Sequence, residues 1–258
     1  RIGNLAHGAL AMLAAYIGLV IVEATGVSPF LSLIVVVPIM AAVGYALQWG
    51  IFNRALRMGG LSPLLAAFGL AVVVTQLLQV KFGADAQSLQ TGDLSIASIQ
   101  VSNDIYLGVL PLITCIVGIL VIFALQVFLN KSPLGRAMRA ASDDPETVSL
   151  MGIDNRRVYA MATAIALATV AIAGVFLGMR TQFTPGYGDV LLIFAFEAVI
   201  IGGLGSLWGT LAGGMVLGVA QAVGNQVNPA WGLLIGNLVF LAILAFRPSG
   251  LLPKAVEA

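Results

Sequence analysis

Charge is what this sequence has least of. Only 9% of its 258 residues are Asp, Glu, Lys or Arg, against roughly 25% in ordinary soluble domains. A soluble chain of this length would need far more charge to cover its surface, so a soluble fold is excluded. One cysteine, Cys115, and one histidine, His7, are present. That rules out a disulfide framework and a thiolate metal site, and no metal is expected. The sequence has no nucleotide-binding glycine loop, no zinc-protease helix motif and no nucleophile elbow. The polypeptide is therefore not expected to hydrolyse ATP, peptides or lipids by itself. No apolar stretch carries the Asp, Glu, His and Lys relay of a proton-driven pump. The net charge of +1 says nothing about nucleic acid, and no such partner is expected.

What is present is apolar. Hydrophobic residues make up 60% of the chain and the mean hydropathy is +1.04. A spanning helix needs about 20 mainly apolar residues. Candidate spans are Leu5–Val22, Leu31–Gly50, Pro63–Val80, Tyr106–Leu129, Val158–Gly178, Asp189–Gly202, Leu207–Gly224 and Trp231–Phe246. The expectation is an all-α, multi-pass bundle of about eight transmembrane segments with glycine-interrupted helices, forming one domain over residues 1–258. Asp189–Gly202 is short for a span and contains Glu197, so a re-entrant segment is the alternative there. The loop 81–105, with alternating Leu94, Ile96, Ile99 and Val101, reads as a small hairpin or an amphipathic surface segment.

Lysine and arginine set the orientation. With eight crossings, Arg1, Arg54, Arg57, Lys131, Arg136, Arg139, Arg156, Arg157, Arg247 and Lys254 fall on the side of loop 131–157. Only Lys81 and Arg180 fall opposite. Loop 131–157 is therefore expected in the cytoplasm and loop 81–105 outside it.

Within loop 131–157, residues Asp144, Pro145, Glu146, Thr147, Val148, Ser149, Leu150, Met151 and Gly152 spell a short helix with both ends specified. Asp144 caps the free amides, and Pro145 occupies the first helical position, where a missing N–H costs nothing. Glu146 complements the positive helix end, and Gly152 stands where a left-handed residue ends it. Two turns are too short to be stable alone. Such a helix is expected to have a partner.

Other features bear more than one reading. Gly205, Gly209 and Gly213 recur every four residues, as do Gly214 and Gly218, Gly174 and Gly178, and Gly232 and Gly236. Small residues permit close backbone contact between helices in lipid, and the same faces are suited to rocking during transport. Glu197 is the one acidic residue well inside an apolar span, either a pathway or gate residue or a cap on the Gly202–Ser206 break. Asn4 and His7 lie three apart, sharing a helix face, with His7 expected to be packed and hydrogen-bonded. Gln76, Gln79, Gln126 and Gln221 are expected to bond neighbouring helices.

Three stretches carry a resemblance: Asn4-Leu5-Ala6-His7-Gly8, the run from Phe196 to Ser206, and Arg247-Pro248-Ser249-Gly250-Leu251. With the loop from Arg136 to Ile153, they resemble the permease subunits of bacterial importers of the ATP-binding-cassette type for branched-chain amino acids. That family has a further hydrophobic segment before the Asn-x-Ala-His-Gly stretch, so the resemblance implies an N-terminally truncated chain. It also implies that Asp144, Pro145, Glu146, Val148, Leu150, Met151 and Gly152 couple the permease to ATPase subunits. Asn4, His7, Gly8, Glu197, Gly202, Gly203, Gly205 and Ser206 are expected at the translocation path or its gate. The implied partners are the ATPase subunits, a second related permease, a periplasmic solute-binding protein and the bilayer of the inner membrane. No cofactor is expected on this chain, since ATP would bind the partner. A urea or short-amide permease, or an ion-coupled secondary transporter using Glu197, are the alternatives.

Overall fold

The computed structural model describes residues 4–95, 97–102 and 105–252. Arg1, Lys254 and Ile96, used above for orientation and loop pattern, lie outside the described residues. The chain divides into two compact units, Arg1–Asp189 and Val190–Ala258.

The first unit runs α1 (His7–Thr25), α2 (Pro29–Leu47), a π-helical turn (Gln48–Phe52), α3 (Asn53–Met58) and α4 (Ser62–Phe82). A 3-10 turn (Gly92–Ser95) and a hairpin of β1 (Ser98–Ser102) and β2 (Ile105–Gly108) follow. Then come α5 (Val109–Lys131), α6 (Pro133–Asp143), α7 (Pro145–Leu150) and α8 (Asn155–Arg180). Helix α9 (Tyr187–Gly202) starts at the end of this unit, and the second unit continues with α10 (Leu207–Val227) and α11 (Trp231–Phe246). Proline within the first turn starts α2, α4, α6 and α7, where its fixed φ suits the helix and no hydrogen bond is lost.

Six of these helices are long and apolar enough to cross a bilayer: α1, the continuous run Pro29–Met58, α4, α5, α8 and α10. Helices α9 and α11 have 16 residues each, about 24 Å against the ~30 Å of a hydrocarbon core. The hairpin reading of loop 81–105 is met by the antiparallel β1–β2 pair, so Tyr106 belongs to a strand and α5 begins at Val109.

Helices α1, α2 and α8 form the centre of the first unit. Their residues are small where they cross. A Cβ on Gly174 of α8 would collide with the Ala11 carbonyl of α1, and one on Gly44 of α2 would sit 2.7 Å from the Thr163 carbonyl. Backbone-to-backbone approach of this kind supplies the packing that hydrophobicity cannot supply in lipid. Helix α5 is the contrast, with Leu110 its sole buried residue among those described. Gly174→Val is expected to cost upwards of about 2 kcal/mol, since neither backbone can give way. Gly218→Ala should be tolerated and slightly stabilising, because that face meets nothing within 4 Å and alanine is the better helix former. Thermal unfolding in detergent measures both.

Loop 81–105 is clasped to the loop after α8. The Gln87 amide donates to the Phe183 carbonyl and the Phe183 amide to the Gln87 carbonyl, both at 2.9 Å. The Leu89 amide donates to the Gly178 carbonyl at 2.8 Å, and the Leu89 side chain is 1% exposed. Gly178 is glycine for this reason: a Cβ would come within 2.9 Å of both Leu89 and Phe183. Phe183 packs edge-on to Tyr16 of α1, with ring centroids 5.0 Å apart.

In the second unit Gly202 and Gly209 face each other so closely that a Cβ on either would strike the other's carbonyl, and Gly213 lies against the Ala198 carbonyl. Gly205 does not extend this series. It sits before α10 with φ +90°, in the turn itself. The four-residue glycine spacing is therefore a helix face only from Gly209 onward. Gly218 meets no neighbour, so the second glycine series is not a packed face. Two of the stretches that carry the family resemblance meet here. The amides of Leu251 and Leu252 donate to the carbonyls of Ile201 and Gly202 at 2.8 and 3.0 Å. These carbonyls end α9 and have no helical partner. Gly250, with φ +83°, lies flat on Gly203, where a Cβ would reach the Gly203 Cα at 2.5 Å.

Candidate functional sites: a capped helix and a polar-ended cavity

Helix α7 is built as its sequence requires. The Asp144 carboxylate accepts from the amides of Glu146 and Thr147, both at 3.1 Å, and from the Thr147 hydroxyl. These bonds, the Thr147 hydroxyl foremost, hold the Asp144 carboxyl below its ordinary value, so the cap is present above that ordinary value and weakens as the pH falls through the lowered one. Gly152 has φ +82°. The sequence did not announce α6, which Ser132 caps by accepting from the Gly135 amide at 2.8 Å.

The three apolar side chains of α7 do not share one environment. Val148 is 4% exposed, packed with Ala141 of α6 and Val158 of α8. It is the helix's anchor rather than part of its outward face. Leu150 is 87% exposed and Met151 75%. Asn155, at the start of α8, adds a tether by donating through Nδ2 to the Pro145 carbonyl at 2.6 Å. The helix is thus rigidly held, and its remaining apolar tip is bare.

Asn4 and His7 come together as their spacing implies. The Asn4 side-chain oxygen accepts from the Ala6 amide at 2.9 Å, and His7 Nδ1 lies 2.9 Å from the Asn4 carbonyl. A carbonyl only accepts, so Nδ1 carries a proton in this contact. Both residues line a cavity of about 510 Å³ in the first unit, together with Gln48, Phe52, Thr163 and Pro145. Gly8 lies beside them, its backbone so close to Gly188 that no Cβ fits there.

Four other glutamines were expected to bond neighbouring helices. Among the described residues none of Gln76, Gln79, Gln126 and Gln221 does so; Gln76 and Gln79 are exposed, and Gln221 packs its side chain on Gly236. Gln48, which pattern reading passed over, makes the bonds instead. It is 6% exposed, accepts from the Thr163 hydroxyl at 2.8 Å and donates to the Asn53 side-chain oxygen at 3.0 Å. Asn53, 7% exposed, donates to the Arg156 carbonyl at 3.4 Å. The sequence signal was a polar pair five residues apart at the end of an apolar run, the spacing of a π-helical turn.

Glu197 is 6% exposed and, among the described residues, makes no hydrogen bond. It does not cap the Gly202–Ser206 break. The Ser206 hydroxyl does that by accepting from the Gly209 amide at 3.0 Å. Gly202, Gly203, Gly205 and Ser206 shape this turn. Among the described residues no cluster of three metal-binding side chains exists.

The chain is a multi-pass helical bundle that holds a capped, apolar-tipped helix apart from its long apolar helices. The family model described as "Branched-chain amino acid transport system / permease component" matches residues 1–244, and the chain belongs to that family. It is 31% identical to the high-affinity branched-chain amino acid transport system permease protein BraD of Pseudomonas aeruginosa, over 97% of this chain and 86% of that one. It is 27% identical to the corresponding LivH protein of Escherichia coli K12, over 97% and 85%. The LivM permease of the same organism is 28% identical over 56% of this chain and 34% of its own. No solved structure gives a significant match. The chain is a multi-pass protein of the inner membrane.

Proposed function

We propose that this chain is one of two permease subunits in an ATP-driven importer of branched-chain amino acids, with the solute delivered by a periplasmic binding protein. The observation that carries the reading is the tip of α7. Leu150 and Met151 are exposed at the end of a helix that Asp144, Asn155 and Val148 hold rigid. Bare apolar side chains on a rigid, charged loop call for a covering partner. ATP binds and is hydrolysed on that partner, and this chain holds no cofactor. The relatives' printed names supply the solute class, and the likeness to LivM supplies the second permease. Six helices are long enough to cross; with the shorter α9 and α11 crossing as well the count is eight, and the basic residues then put α6 and α7 on the cytoplasmic side. Asn4, His7 and Glu197 contribute to the path or its gate.

Affinity purification of the tagged chain from its native host tests this. An ATPase with a nucleotide-binding loop and a second permease should co-purify in fixed stoichiometry. A chain that purifies alone and still supports uptake would overturn the proposal.

A further inference from the structure

Two buried amides and one hydroxyl tie the only π-helical turn among the described residues to α8. Gln48 begins that turn and Asn53 follows it, and each would be costly in an apolar bundle without a partner. Both find partners on α8, more than 100 residues away in sequence: Thr163 for Gln48 and the Arg156 carbonyl for Asn53. One turn before Gln48, Gly44 lets α2 press on the backbone of α8 at Thr163 and Ala164. At Asn155, next to Arg156, α8 holds α7 through the Pro145 carbonyl. The same face of α8 carries Val158, which packs on Val148. Force on α7 thus reaches the start of α8, and from there two polar contacts reach the π turn. Phe52 and Leu56, on and just after that turn, form part of the cavity wall.

A π turn holds one residue more than the α-helix permits, and it has a discrete alternative. Relaxing it to α-helix would rotate the following segment by about 100° and shift it by about 1.5 Å. The bonds to Thr163 and Arg156 fix the present register. The geometry points to Gln48, Asn53 and Thr163 as positioning residues that join the movement of α7 to the cavity wall, setting the solute moved per ATP consumed. This rests on the importer reading above.

The test uses the full complex in liposomes, with its ATPase and binding protein, measuring leucine uptake and ATP hydrolysis together. Thr163→Val keeps the side chain's shape and removes only the hydroxyl. It should assemble normally but lower leucine moved per ATP about tenfold. Asn53→Leu, which breaks the other contact, should do the same, and Thr163→Ser should restore the ratio to within about twofold of the wild type. An unchanged ratio in Thr163→Val, or equal loss in Thr163→Val and Thr163→Ser, would overturn the assignment. A wild-type complex that moves no leucine on ATP overturns the importer reading, and the positioning role with it. A working wild type beside an unaffected Thr163→Val overturns the positioning role alone.

Discussion

Aspartate in place of Met151 is expected to strip the permease of its ATPase while leaving it folded and inserted. Met151 is 75% exposed and Leu150 87%, so neither supports this chain's own packing. Against a partner the same side chains would be buried, and a carboxylate forced into an apolar groove costs several kcal/mol. About 3 kcal/mol already weakens association more than 100-fold. Gly152→Val should act differently. Its φ of +82° is one a β-branched residue rarely adopts, so the end of α7 would unwind and displace the tip. Val148→Asp separates the two causes. That side chain is 4% exposed within this chain, so its loss should lower the melting temperature of the isolated permease, which Met151→Asp should not. Pull-down of the ATPase and melting of the purified permease are the two measurements. Full ATPase recovery with both Met151→Asp and Gly152→Val would remove the docking role from α7.

Glutamine in place of Glu197 is expected to keep uptake within about threefold, and lysine there to abolish it. Glu197 is 6% exposed with no hydrogen bond among the described residues, so nothing described depends on its charge. Glutamine has nearly the same shape and needs no counter-charge. A lysine at the centre of a span costs on the order of 3 kcal/mol on insertion scales, and a longer cation has no described acceptor here. An ion-coupled transporter would behave otherwise, because glutamine cannot release and rebind a proton. A glutamine variant that folds, assembles and moves no solute would make Glu197 a titrating element and count against an ATP-driven cycle.

What the sequence revealed divides by physical cause. Composition alone demanded a membrane bundle, because so few charges cannot cover a soluble surface, and in lipid the backbone must be satisfied within helices or a closed barrel. Helix α7 was legible down to its ends because Asp144, Pro145 and Gly152 act within a few residues of one another. Asn4 and His7 were legible as a local pair for the same reason. Non-local facts were hidden. Val148 reads as exposed in a charged loop until α6 and α8 cover it. Gln48 reads as one more scattered glutamine until Thr163, 115 residues away, meets it. Glu197 beside a glycine break suggests a cap, but Ser206, three residues from Gly209, is the nearer acceptor and takes that amide. Glycine spacing was half informative. It picked out Gly209 and Gly213, which pack on Gly202 and Ala198, but also counted Gly205, which turns the chain, and Gly218, which touches nothing.

On the proposed function, the binding protein chooses the solute, the partner hydrolyses ATP, and this chain only passes the solute. The described spans hold no lysine or arginine away from their ends to receive an amino-acid carboxylate. A tight zwitterion site would call for such a group or for unwound backbone in its place. Leucine uptake into liposomes bearing the full complex, with ATP on the ATPase side, should therefore vanish when the binding protein is left out, even at high external leucine. Uptake should return when the binding protein is added. Robust, saturable leucine uptake by the permeases and ATPase alone would contradict the claim and place a true substrate site within these helices.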